Sequence, residues 1–124
     1  MTKSYTEITA NINRGITNIR EVAPDAMAGF SALAKSAMKA GTLPAEQKEL
    51  IALAIGVASH CDGCIGFHAK ALARMGTPRE HIIEALAVAV YMGGGPSLMY
   101  AAEAMSALDE FQTEPVGHTA TPTT

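Results

Sequence analysis

The sequence has 124 residues, a net charge of −3 and 48% apolar residues, with three Phe, three Tyr and no Trp. That is one ordinary domain with a single core of small and aliphatic side chains, a composition that suits closely packed helices. Lys and Arg are scattered, with no basic stripe for phosphate contacts, and this excludes nucleic acid as a partner.

Residues 1–9 are polar and lack the apolar core and cleavage pattern of a secretory signal. Ile8, Ile12, Ile16 and Ile19 recur at three- and four-residue spacing and predict a first amphipathic helix, with Gly15 inside it. Pro24 opens a second, with Asp25 in its first turn and Met27, Phe30, Leu33, Ala34, Ala37 and Met38 on one face. Gly41 then stands where a C-terminal stop is expected. Thr42-Leu43-Pro44 starts a third helix with Glu46 and Glu49 in its acidic first turn. Its residues 50–58 are apolar all round, which predicts burial on every side.

After the break at His60-Cys61-Asp62-Gly63, a fourth helix runs to about Met75. Gly76-Thr77-Pro78-Arg79-Glu80 combines a stop glycine, a Thr N-cap, Pro at the first helical position and a capping-box Glu. The fifth helix runs to Met92, and Gly93-Gly94-Gly95-Pro96 ends it. A sixth covers residues 97–111 with Leu98, Ala101, Ala102, Met105 and Leu108 inward. Gly41-Thr42 and Gly76-Thr77 each lead into a Pro, a Glu and a long apolar helix, a weak internal echo. No stretch alternates with a period of two, so no strands are expected.

The expected fold is an all-α, compact bundle of about six helices. Residues 1–112 form one domain, with its core over 43–111, and 113–124 a Thr-, Pro- and Gly-rich tail. The longest apolar runs, 50–58 and 85–95, are too short for a bilayer, which takes roughly 20 residues. The protein is therefore expected to be cytoplasmic, with no membrane partner. Runs 50–58 and 85–92 nevertheless leave more apolar helix surface than one layer of short helices covers, which predicts a homo-oligomer.

The two cysteines carry the chemistry. In a reducing compartment such a pair is more often catalytic, redox-sensing or metal-binding than structural. At about 100° per residue, Cys61, Cys64 and His68 fall within an arc of roughly 60° on one helix face. First-turn N–H groups and the helix dipole favour a thiolate, lowering a thiol pKa from about 8.5 into a range of roughly 3.5–7.5. Cys64 has His68 one turn away and is the expected attacking thiol, while Cys61, at the helix edge, is the resolving one. Glu49, on the preceding helix, reaches the same region if the two helices pack antiparallel, where it accepts a proton or orients a water for His68.

Rival readings exist. The same face continues through Ile65, Leu72 and Met75, which suits buried, inert cysteines. A zinc site would use Cys61, Cys64, His68 and Glu49 or His60, but the second Cys/His pair of structural zinc is absent. Haem attachment requires His directly after the second cysteine, and Ile65 is there instead. No cofactor and no metal are expected. His60 adjoins the motif at a helix end, and His81 and His118 are expected at the surface.

The Pro44-to-Glu49 helix start, the apolar helix, C-D-G-C-I-G-F-H, the Ala-rich helix after it, G-T-P and a further Ala/Val helix make a pattern over residues 43–111. It resembles the alkylhydroperoxidase D-like branch of the carboxymuconolactone decarboxylase superfamily. The resemblance implies an all-α fold assembling as trimers or hexamers, and thiol peroxidase or disulfide-exchange activity in antioxidant defence. It implies Cys64 as the peroxidatic thiol, Cys61 as the resolving one, and His68 and Glu49 as members of a proton relay. A peroxide substrate and a dithiol or lipoyl-type reductant protein follow from the same resemblance. The best-known members have a histidine immediately before the second cysteine, where this chain has Gly63. The resemblance leaves open decarboxylation of an aromatic-catabolism lactone, although the decarboxylases proper do not depend on a Cys-x-x-Cys. A redox-sensing assembly module with little turnover is the non-enzymatic alternative.

Overall fold

Residues 3–113 are described in the computed structural model. Ser4 begins the first helix by accepting the Glu7 N–H on its hydroxyl, and α1 (Tyr5–Val22) continues through Gly15 without a break. Pro24 at the first helical position starts α2 (Pro24–Met38) after a single intervening residue. There follow α3 (Ala45–Ala58), α4 (Asp62–Met75), α5 (Arg79–Gly93) and α6 (Gly95–Thr113), and among the described residues the fold is all-α. The expected tail lies outside the described residues apart from Thr113, which belongs to α6.

Two of these helices end alike. At the end of α4, Gly76 takes a left-handed conformation while its N–H bonds Ala73 O and that of Thr77 bonds Leu72 O. The pairing is the Schellman motif. At the end of α3 the His60 N–H bonds Val57 O and the Cys61 N–H bonds Gly56 O, the same two bonds. Here the left-handed residue is His60, with φ 56°.

The centre of the bundle is α4, which packs on α1, α3 and α6, while α5 closes the far side against α3 and α6. Leu53, Val57, Ile65, Leu72, Ile82, Leu86, Leu108 and Phe111 form the core with Tyr5 and a set of alanines. Each large apolar side chain so buried contributes about 1.5–3 kcal/mol. The alanines let the helix axes approach closely. Where α1 crosses α4, a Cβ on Gly66 would lie 2.7 Å from Thr9 Cγ2.

Several expectations are corrected. Residues 50–58 are not buried on every side, because Ile51 and Ile55 face away from α4 and are exposed. The α2 helix, for which the sequence predicts an apolar face but not full burial, packs only on α1 and α3 among the described residues and has no fully buried residue. Leu98 and Ala102 face outward, and the inward face of α6 is Ser97, Ala101, Ala104, Ala107, Leu108 and Phe111. Thr77 does not cap α5. Pro78 occupies the cap position, so the buried Thr77 hydroxyl donates instead to Glu46 Oε2 at 2.8 Å. Gly41 does not stop α2 either. That helix ends at Met38 with Lys39 extended, and Lys48 from α3 reaches back to bond Lys39 O at 2.6 Å.

Candidate active site

Cys61 belongs to two elements at once. It is the second residue past the cap of α3, with its N–H on Gly56 O, and it is the N-cap of α4. In that position its Sγ accepts the Cys64 N–H at 3.1 Å. This sulfur thus occupies the place where an N-cap oxygen usually sits, facing the unpaired first-turn donors. Cys61 and Cys64 are joined as a disulfide, with Cα atoms 5.3 Å apart. The three-residue spacing achieves this because the first residue lies just outside the helix, in extended conformation.

Glu49 comes from the antiparallel neighbour α3. Its Oε1 lies 2.7 Å from His68 Nδ1, with the carboxylate largely buried and the imidazole partly so. A carboxylate can only accept, so Nδ1 carries the hydrogen and Nε2 is left as the atom able to take or give a proton. This is the orientation that a base held by a carboxylate requires. The antiparallel packing on which the expected role of Glu49 depended is therefore present.

The approach of the two helices is tight at the sulfurs. A Cβ on Gly56 would meet Cys64 Cβ at 2.9 Å, so α3 can lie against the start of α4 only with glycine there. On the other flank, a Cβ on Gly63 would come 2.6 Å from Ile12 Cδ1. The position at which the best-known relatives have a histidine is here overlaid by α1.

His60 does not join the Glu49–His68 pair. Its ring stacks on Tyr100 at 4.6 Å with planes 4° apart, and Ser97 Oγ lies 3.5 Å from its Nε2. His81 is exposed, and His118 lies outside the described residues. Among the described residues, no three His, Cys, Asp or Glu side chains come together in the manner of metal ligands, including the set considered for zinc. Also among them, no helix is long and apolar enough to cross a membrane.

Sequence reasoning missed the groups around Asp62. Tyr5 OH lies 3.1 Å from Asp62 Oδ1 and 2.9 Å from Glu103 Oε1, and Lys3 Nζ bonds both carboxylates. Burial first, then the two carboxylates, push the Tyr5 hydroxyl well above its ordinary range. Hydrogen bonding to Glu103 raises Lys3, against a smaller opposing effect of burial. These residues come from sequence-distant elements and carry no local motif.

Comparison with known proteins agrees with the geometry. The Carboxymuconolactone decarboxylase family matches residues 24–107. An uncharacterized protein of Cupriavidus necator is 39% identical over 109 residues, which cover 88% of this chain and 96% of that one. The crystal structure of a carboxymuconolactone decarboxylase family protein from Legionella pneumophila, in apo form, superposes with a TM-score of 0.86 at 50% identity, covering 88% of this chain and 97% of that one. A family protein from Thermotoga maritima superposes at 0.75 with 25% identity, covering 84% and 89%. The Cys61–Cys64 pair with the His68–Glu49 pair matches the active-site arrangement of alkylhydroperoxidase D-type thiol peroxidases, and it supports cysteine-based peroxidase chemistry. By the family match and these relatives, the chain belongs to the carboxymuconolactone decarboxylase family, within the superfamily that includes the alkylhydroperoxidase D-like proteins.

Proposed function

We propose that the protein reduces peroxides in antioxidant defence, with Cys64 as the peroxidatic thiol, Cys61 as the resolving thiol, and His68 and Glu49 as the proton relay. The observation that carries this reading is the 2.7 Å His68–Glu49 contact one turn from a disulfide-forming pair. His68 Nε2 takes the Cys64 proton, and the thiolate attacks the terminal peroxide oxygen. The O–O bond breaks, Cys64 becomes a sulfenic acid, and the departing alkoxide takes a proton to leave as the alcohol. Cys61 then attacks the sulfenic sulfur, forming the disulfide and expelling water. A dithiol, free or lipoyl-type on a partner protein, returns two electrons and two protons to the pair. A part in the antioxidative response has also been suggested for the Thermotoga relative.

One observation favours exchanging the two roles. The Cys61 sulfur, not that of Cys64, receives the helix N-terminal hydrogen bond that stabilises a thiolate. Trapping the sulfenic acid formed by one equivalent of peroxide, before the second thiol closes on it, decides the assignment, since it labels one cysteine or the other.

The test of the activity is peroxide consumption coupled to a dithiol, with mass spectrometry of the protein. Mild peroxide lowers the mass by about two hydrogens, as oxidation of two thiols to an intramolecular disulfide requires. Two retained thiols, intermolecular dimers only, or release of carbon dioxide from a lactone without thiol oxidation would overturn it.

The protein is also read as a cytoplasmic homotrimer or homohexamer. Phe30, Leu33, Ile55, Val88, Tyr91 and Met92 are all 60% or more exposed in the single chain, and large exposed apolar side chains of this kind support an interface between copies. Light scattering behind a sizing column tests this, and a stable monomer at micromolar concentration would exclude it.

A further inference from the structure

We propose that Lys3, Tyr5 and Glu103 form a positioning network around Asp62 that sets the reduction potential of the Cys61–Cys64 pair. Asp62 follows Cys61 directly and is the first residue of α4. A carboxylate is favourable at a helix N-terminus. It is also a like charge one residue from Cys61, whose sulfur becomes an anion when the disulfide opens, and a nearby like charge disfavours the anion. The disulfide itself carries no charge, so Asp62 acts almost wholly on the reduced form. Anything that compensates Asp62 therefore shifts the redox equilibrium.

The compensating groups converge from two other parts of the fold. Lys3 Nζ lies 3.1 Å from both carboxylate oxygens of Asp62 and 2.6 Å from Glu103 Oε1. The Tyr5 hydroxyl stands between the same two carboxylates, at 3.1 and 2.9 Å, and its single hydrogen serves one of them at a time. Tyr5 is 1% exposed and anchored in the core, so it fixes where the Asp62 carboxylate rests. Lys3 is more exposed and supplies the only positive charge of the four. Further titratable groups near the motif are Glu49, which bonds His68, and His60, next to Cys61 in the chain, whose ring stacks on Tyr100 of α6. The variants below leave them unchanged.

This inference rests on the pair cycling between dithiol and disulfide. The full chain is equilibrated with mixtures of reduced and oxidised dithiothreitol, free thiols are counted by mass spectrometry, and the pH midpoint of alkylation of the reduced protein is recorded. Lys3→Met is expected to shift the equilibrium towards the disulfide by about threefold to tenfold, or about 15–30 mV for a two-electron couple. Its alkylation midpoint rises. Asp62→Asn, which keeps the side-chain shape, shifts both quantities in the opposite direction, and Lys3→Arg restores the original values. Opposite signs distinguish charge compensation from simple loosening of α1, which would move both variants the same way. Shifts of equal sign, or an Asp62→Asn shift below twofold, would overturn the network even if Lys3→Met failed to fold. A wild-type pair that forms no intramolecular disulfide at any ratio would overturn the redox reading as well.

Discussion

Glu49 and His68, nineteen residues apart, meet at 2.7 Å because the chain turns back after α3 through the His60–Cys61 corner, so that α4 runs antiparallel to α3. The corner and the Glu49–His68 pair are thus one construction: the two bonds that close α3 also set Cys61 at the start of α4.

If the carboxylate acts by orienting the imidazole, Glu49→Gln lowers kcat/KM for peroxide on the order of 100-fold, at the low end of general acid–base contributions. His68→Asn lowers it at least as far. The double variant is then no worse than His68→Asn alone within about threefold, because groups acting as a unit are non-additive. Multiplied losses in the double variant would show two independent roles. Steady-state rates on the four proteins make the comparison.

Cys64→Ser is expected to abolish peroxide reduction. Cys61→Ser retains one oxidation equivalent per chain but does not turn over. Dimedone trapping followed by peptide mass spectrometry locates the sulfenic acid, and a label on Cys61 reverses the assignment.

Much of this was legible from local pattern. The six helices follow from apolar spacing, from Pro24 and from Gly76, and the site follows from C-D-G-C with His68 one turn on. Other features were not, because their causes are tertiary. Thr77-Pro78-Arg79-Glu80 has the letters of a capping box, yet the Thr77 hydroxyl is drawn to Glu46 on a helix more than thirty residues earlier. Gly41 looks like a stop, but a lysine from α3 closes α2 instead. Ile51 and Ile55 are as apolar as Leu53 and Val57, and nothing in the string tells which of them faces α4 and which faces out. Lys3, Tyr5 and Glu103 surround Asp62 only because α1 and α6 both pass the start of α4.

Glu110 gives a pH-dependent prediction. It accepts the N–H groups of Tyr5 and Thr6 at 2.9 and 3.0 Å and the Ser4 hydroxyl at 2.9 Å, closing the first turn of α1 from α6. Burial pushes its carboxyl up, but the donors from Thr6, Tyr5 and Ser4 together outweigh burial and hold it below the ordinary range. A carboxylate depressed in the folded state stabilises the fold above its unfolded pKa, and that stability is lost as pH falls through the folded value. Glu110→Gln should therefore cost about 1–2 kcal/mol at pH 7, in line with the loss of a helix cap. The difference from wild type narrows from about pH 4.5 downward. Urea melts at pH 7 and pH 3.5 check it, and a cost independent of pH would contradict the ionised cap.

His60 sits in the left-handed place that α4 gives to glycine. For a residue with a Cβ this conformation costs roughly 1–2 kcal/mol, and the stack on Tyr100 is what His60 gains in return. His60→Gly loses the stack and relieves the strain, so its stability stays within about 0.5 kcal/mol of wild type, whereas His60→Ala loses the stack and keeps the strain. The alanine variant should be less stable than the glycine variant by about 1 kcal/mol. Equal melting curves would mean that the corner relaxes when the ring is gone.

Gly56 and Gly63 separate two kinds of tight contact. A methyl on Gly56 would fall 2.9 Å from Cys64 Cβ and 3.6 Å from the Cys64 carbonyl carbon and the Ile65 nitrogen. Cys64 Cβ is fixed to the backbone, so relief requires α3 and α4 to move apart at the sulfurs. A methyl on Gly63 would meet the far end of Ile12, which can turn about its side-chain bonds. Alanine is the better helix former by about 1 kcal/mol at either position. Overpacking of about 1–3 kcal/mol outweighs that gain at Gly56 and not at Gly63. Gly56→Ala is therefore expected to destabilise the protein by roughly 1–2 kcal/mol and to change the rate at which the reduced pair closes on peroxide. Gly63→Ala is expected to be neutral or slightly stabilising, with its closure rate little altered. Denaturant melts of both variants, with stopped-flow oxidation of the reduced proteins, make the test, and the reverse order would show that the α1–α4 crossing is the stiffer of the two contacts.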